Sequence, residues 1–313
     1  MTASPTPPPP LAASPRRARR QLARSRRRQS FLRSWAAYRA QRTGMIGLVL
    51  LGVIVVLALA APVLVDESAL SVTQATGGRM EPPSAAFPLG TDEVGRSILA
   101  LTLWGSRLSL LIGLTATVVA IVIGTTVGVT SGHVGGWYGW FALRISDWFM
   151  VLPSLVVAIA LLAVLGRSMG TTIAVIALVS WSGTTRLVRA QTLTVQSRPY
   201  LERARALGAG HWHQMTKHIL PNVLPLVLAS ATLLVPSAIL MESSLAWLGL
   251  GDPNVVSWGS ILNRASDNGA VSAHAWWYLL PPGLAILIVV LAFMMCGRAL
   301  EAVFNPRLRG EPS

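Results

Sequence analysis

The sequence predicts an all-α, polytopic membrane protein with six transmembrane helices, and three observations predict it. Charged residues make up only 12% of the 313 positions and hydrophobic residues 52%, a balance at odds with a purely soluble chain of this size. Six apolar runs reach or approach the ~20 residues that a bilayer crossing needs; they lie near 44–65, 108–131, 147–166, 171–187, 223–248 and 276–299. With the N-terminus inside, the inside segments carry 11, 1, 6 and 3 basic residues, 21 in all, against 5 outside. That asymmetry is what the positive-inside rule demands.

Residues 1–43 hold eleven arginines and no acid among Pro, Ala and Ser. The composition predicts a disordered, basic cytoplasmic tail, drawn to anionic lipid headgroups rather than to nucleic acid. The tail and the apolar run ending Ala58-Leu59-Ala60 also resemble a cleavable signal. The basic region is long for one, and the run continues through Val65, so a retained first helix (44–65) is expected. Residues 66–107 form an extracytoplasmic loop, and the outside segments carry seven acids from Asp66 to Asp267. The core spans 108–302. Its third and fourth spans, joined by Gly166 to Gly170, should be antiparallel neighbours. The fourth is diluted by Ser180, Trp181, Ser182 and Gly183, but removing it would strand the six basic residues of 186–217 outside. A cytoplasmic loop (188–222) therefore separates the fourth and fifth spans, and a short cytoplasmic tail (303–313) follows the sixth. Pro153, Pro225 and Pro236 mark kink positions in the third and fifth spans.

Catalytic patterns are sparse. A phosphate-cradling P-loop needs a lysine after its glycines, and the one lysine, Lys217, stands between Thr216 and His218. The chain is therefore not expected to bind ATP itself, and no enzyme activity is expected of it. His211, His213 and His218 resemble a metal cluster, yet helical positions 211 and 213 lie about 200° apart and lack the usual ligand spacings, so no metal is expected. Cys296, the single cysteine, excludes an internal disulfide and reads as a buried thiol. No Ser-His-Asp pattern points to a protease. His133 and His274 fall at span ends, where an interfacial role is expected.

The stretch ERARALGAGHWHQMTKHILPN (202–222) is polar and twice broken. Ser197 can cap a short helix, Pro199 suits its first turn, and Glu202 and Arg205 are spaced for an i,i+3 ion pair. Tyr200, Ala204 and Leu207 share one face. Gly208 and Gly210 end this helix, residues 211–219 form a second, Pro221 stops it, and Asn222 can cap the next span. Two readings stand level on spacing: a connecting loop with surface helices, or an amphipathic knob for the groove of a cytosolic partner.

The stretch also resembles the signature Glu-Ala-Ala-x3-Gly-x9-Ile-x-Leu-Pro of permease subunits of ATP-binding-cassette importers. Glu202, Ala204, Gly208, Leu220 and Pro221 match, while Arg203 replaces the second position and His218 the isoleucine. FPLGTDEVGRSILALTLWGSRLSL (87–110), LPSLVVAIAL (152–161), ESSLAWLGLGDPNVVSWGSIL (242–262) and NPRLRG (305–310) resemble the C-type permease of dipeptide and oligopeptide importers. The resemblance covers about residues 30–310, and nickel and glutathione permeases share much of it. It implies a type I importer permease fold in a bacterial plasma membrane and a pore shared with a second, B-type permease. It also implies two cytosolic ATPases that bind ATP and Mg, and an extracytoplasmic peptide-binding protein. Residues Glu202, Arg203, Ala204, Arg205, Ala206, Leu207, Gly208 and Ala209, with Leu220 and Pro221, would then couple to the ATPases.

Glu242 is the only acid well within a span, whereas Asp147 belongs to a span boundary. A charge at that depth costs roughly 2.5–3.5 kcal/mol on insertion scales and faces a polar interior by default. Glu242 and Ser243 are therefore candidate pore or gate residues, the alternative being a helix-interface glutamate. A secondary transporter, from another class, would need a coupling-ion site and shows no inverted repeat.

Overall fold

The computed structural model describes Leu32 and residues 35–304. The arginine-rich tail up to residue 31 and the NPRLRG segment lie outside the described residues. Apolar sequence of bilayer length folds here as long helices, because no other open structure satisfies every backbone group in lipid. In chain order they are α1 (Arg42–Leu64), α2 (Ile98–Val134), α3 (Gly136–Val151), α4 (Ser154–Leu165) and α5 (Met169–Gln196). A short α6 (Pro199–Ala206) follows, then α7 (Leu220–Trp247), α8 (Trp258–Asp267) and α9 (Trp276–Phe304).

Five of these are long and apolar enough to cross a membrane alone. The third predicted span is not one straight helix: α3 and α4 meet at a bend of 94°. Pro153 stands at that break as the N-terminal cap of α4, where it cannot donate a helical hydrogen bond and disfavours helix in the residue before it. The pair nevertheless runs the whole length of α5 in the opposite direction. Arg189 Nη1 donates to Gly139 O (2.7 Å), Ser146 Oγ to Ser182 O (3.1 Å), and Thr171 Oγ1 to Gly166 O (2.9 Å). Between these points Ala158 and Leu162 pack with Val175 and Ile176. The broken helix is therefore one crossing, and the antiparallel neighbours expected across residues 166–170 are present.

Three sequence-based boundaries need correcting. The second crossing starts at Ile98, capped by Ser97 Oγ accepting from Ala100 N–H, so residues 98–107 are helix and the loop is 66–97. The fourth continues to Gln196, so residues 188–196 are helix and not loop. In place of a loop after α7, Ser257 and Ser260 form a reciprocal capping box that starts α8, whose Trp258, Ile261 and Ala265 are buried.

α2 and α5 lie parallel and close because glycine faces the partner once per turn. A Cβ on Gly124, Gly128 or Gly132 would come within 2.7–2.9 Å of Thr184, Val188 or Thr192 respectively. Small residues at such spacing allow the close packing that lipid-embedded helices depend on. α7 runs antiparallel to α2, α9 packs on α7, and α1 packs on α9 through Gly44 and Gly47. Consequently the start of α1, the end of α9 and the segment 197–219 lie at one end of the bundle. Loop 66–97, α8 and the start of α9 lie at the other, where Asp92 Oδ2 accepts from Arg96 Nε at 2.7 Å and Tyr278 donates to Glu93.

Candidate functional site

At the end of the bundle that carries both span termini, α6 projects from the junction of α5 and α7. Pro199 occupies its first position and Arg198, in an extended conformation, precedes it as cap residue. The expected cap, Ser197, instead donates its hydroxyl to Thr194 O at 3.0 Å, closing α5. Leu201 is fully buried and seats α6 among Val129 of α2, Val188 and Val195 of α5, and Ile219, Val223 and Val227 at the start of the fifth crossing. Through this cluster the short helix is joined to three crossings.

Gly208 terminates α6 with φ +82°, a conformation that costs other residues about 1–2 kcal/mol. Ala209 N–H donates to Ala204 O (3.0 Å) and Gly208 N–H to Arg205 O (2.9 Å), the paired bonds of a Schellman ending. The Glu202–Arg205 ion pair expected from spacing is absent among the described residues. Arg205 Nε turns instead to Gln214 Oε1 at 3.1 Å, and Gln214 Nε2 donates to Ala209 O at 2.6 Å. A buried amide outcompetes an exposed carboxylate here, since an exposed i,i+3 pair is worth only a few tenths of a kcal/mol.

After the turn the chain does not stop at Pro221. One α-helical turn (His211–His213) and a π-helical stretch (Gln214–Ile219) lead straight into α7, so the fifth crossing is one helical run of 37 residues, His211–Trp247. The wider π turn precedes the proline, which supplies no N–H to an upstream carbonyl. Asn222 does not cap; its Nδ2 donates back to His218 O at 2.6 Å. His211 and His213 do not converge. His211 Nδ1 meets His133 Nε2 at 3.0 Å, and Gln196 Nε2 donates to His133 Nδ1 at 3.1 Å and to Gly132 O. The last bond fixes the amide as donor, so Nε2 of His133 carries the proton and donates to His211. His133, expected to be an interfacial residue, is a buried link between α2, α5 and the run into α7.

Of the sequence-predicted coupling residues, Glu202, Arg203, Arg205, Ala206, Leu207, Gly208 and Pro221 are exposed and Ala204 and Ala209 half-buried. Leu220 is 36% exposed. Tyr200 and Leu207 are exposed on α6, and Leu207 (89%) and Trp212 (75%) flank the glycine turn, making an apolar tip bordered by Arg203 and Lys217. Sequence reasoning missed Trp212, Leu201 and Gln214. A lone tryptophan in a polar stretch was a legible signal; the anchoring of Leu201 was not.

Glu242 and Ser243 lie elsewhere, toward the opposite end. Ser109 Oγ and Ser243 Oγ reach Glu242 Oε2 at 3.2 and 3.3 Å, while Trp258 N–H donates to Ser109 Oγ. Glu242 is 2% exposed. Within this chain it is a buried residue at the interface of α7 with α2 and the start of α8. Asp147 pairs with Arg186 on the outside of the α3–α5 contact.

Taken with the site, the fold defines a polytopic bundle of membrane-spanning length with a short helix projecting at one end. Residues 121–310 match the family described as binding-protein-dependent transport system inner membrane component, and residues 30–83 match the N-terminal TM domain of oligopeptide transport permease C. The chain belongs to this family of transport-system membrane components. It is 37% identical over 231 residues to the di/tripeptide transport system permease protein DppC of Pseudomonas aeruginosa, covering 74% of this chain and 75% of that protein. It is 36% identical over 277 residues to a Brucella suis protein provisionally named a peptide transport system permease protein, covering 87% and 90%.

Proposed function

We propose that this chain is one of two permease subunits lining the pore of an ATP-driven importer of di- or oligopeptides. ATP and Mg would be bound by two partner ATPases, a B-type permease would complete the pore, and an extracytoplasmic peptide-binding protein would deliver substrate. The observation that carries the coupling role is α6 itself: an exposed apolar tip on a helix whose one buried anchor, Leu201, belongs to an apolar cluster drawn from three crossings. A push on the tip is passed to α2, α5 and α7 together through that anchor, Gln214 and the His133–His211 bond. The sequence asymmetry of 21 basic residues against 5 across the proposed sides supports a cytoplasmic position for α6 and both termini under the positive-inside rule. The names of the relatives support peptide as substrate.

The test replaces Gly208. Its surroundings are open, with nothing within 4 Å of an added Cβ, so only backbone strain is introduced. Gly208→Val should lower peptide uptake and ATPase co-purification with an unchanged level of membrane-inserted chain. Gly208→Asn, which tolerates positive φ better, should retain more of both. Normal uptake with ATPases bound in Gly208→Val would overturn the coupling role.

A further inference from the structure

A cavity of about 990 Å³ opens at the end of the bundle opposite α6, between α1, the first turns of α2, loop residues 67–72 and the 253–256 segment. Its two halves differ in chemistry. At the mouth stand Glu67, Glu93, Arg96, Arg107 and Arg264. Arg96 and Glu93 are already engaged, Arg96 with Asp92 and Glu93, and Glu93 also with Tyr278. Arg107 and Arg264 have no ion-pair or hydrogen-bond partner among the described residues; Arg107 lies over the Trp104 ring at 5.0 Å. Below the mouth the walls are Val55, Leu59, Leu111 and Leu114, all lining the cavity and all exposed.

The depth of this groove follows from its helices. Trp104 Nε1 donates to Val65 O at 3.2 Å, which sets the end of α1 level with the second turn of α2. Val55 and Leu114 each lie ten residues from that point, about 15 Å at 1.5 Å per residue. Half of a ~30 Å hydrocarbon core is the same length. With the end of the apolar run of α1 at headgroup level, a groove of this length reaches the bilayer midplane, and its indole and guanidinium groups stand where interfacial anchors belong.

The geometry points to a phospholipid site, with the phosphate held by Arg107 and Arg264 and one acyl chain lying between α1 and α2. Planar guanidiniums suit phosphate oxygens. Glu67, exposed at the same mouth and without an ion-pair partner among the described residues, complements a headgroup ammonium, so the occupant is phosphatidylethanolamine rather than phosphatidylglycerol. This site makes no use of α6, and it rests on the transport reading only in that its test uses the assembled complex.

The test exposes the purified, assembled complex to phosphatidylcholine vesicles containing equal phosphatidylethanolamine and phosphatidylglycerol, and counts retained lipids by native mass spectrometry. The wild-type complex should retain phosphatidylethanolamine in preference. Arg107→Gln with Arg264→Gln should lower that retention about a hundredfold, the change that loss of two charged hydrogen bonds of ~1.5 kcal/mol each produces. Glu67→Gln should abolish the preference without losing lipid, and Leu114→Trp, which fills the lower groove from an exposed position, should also displace it. Lipid retention unaffected by the double arginine change would overturn the site. So would retention of trialanine that depends on Arg107 and Arg264, which would make the cavity a peptide vestibule, or a disulfide from Leu59→Cys to the second permease, which would make it a subunit contact.

Discussion

Gln214 does at the residue scale what the spacing of Glu202 and Arg205 was expected to do. Its amide is buried, accepts from Arg205 and donates to Ala209 O, so it ties the end of α6 to the run into α7. Gln214→Leu keeps the approximate volume and leaves the Ala209 carbonyl without its partner, a loss of about 1–3 kcal/mol if it stays shielded and less as water reaches it, while the exposed Arg205 guanidinium turns to water. Faster amide hydrogen exchange confined to 199–210 is the expected outcome; unchanged exchange there would show the amide to be dispensable. Glu202→Ala, by contrast, removes an exposed charge with no ion-pair partner among the described residues, and should leave that exchange as it was.

At the scale of elements, the contact between α2 and α5 depends on absent side chains. Gly128 faces Val188 Cβ and Thr185 O, both within 2.8 Å of where its own Cβ would be. Gly128→Leu must part the two helices, and overpacking of this kind costs about 1–3 kcal/mol. A lower thermal midpoint and a lower level of inserted chain are expected, measured by fluorescence-detected size exclusion after heating. Gly183 on α5 has open space around it, so Gly183→Ala should be neutral; equal damage from both would mean that helix glycine matters here for something other than this contact. The same scale explains Pro221. A proline in a helical run ordinarily ends it, yet a preceding π turn lets the fifth crossing continue through it, and that register cannot be read from residue types.

For the whole molecule, the parallel and antiparallel pairings put the segment 197–219 and both span termini at one end. An impermeant thiol reagent applied to cells with an accessible inner membrane tests which end that is, on a Cys296→Ala background. Thr73→Cys and Asn254→Cys, both exposed, should be labelled; Ser197→Cys, exposed at the α6 end, should not. Thr192, near the end of α5, is a poor probe, since it is 0% exposed against α2. Labelling of Ser197→Cys in intact cells would invert the orientation.

The sequence by itself determined the class of fold, the approximate place of the six crossings and the glycine ending of α6. Apolar length, basic asymmetry and a residue free to take positive φ are local properties, legible one segment at a time. It also singled out Glu242 as the buried acid of the spans. Only the tertiary structure decided what that acid faces, because Ser109 reaches it from a helix 133 residues away along the chain, and Trp258 N–H in turn donates to Ser109. Tertiary packing likewise decided that Leu201 is an anchor, that the third crossing is bent at Pro153 and still complete, and that Arg205 abandons Glu202 for Gln214. Each is a competition between partners distant in sequence, settled by burial, and burial is a property of the assembled bundle.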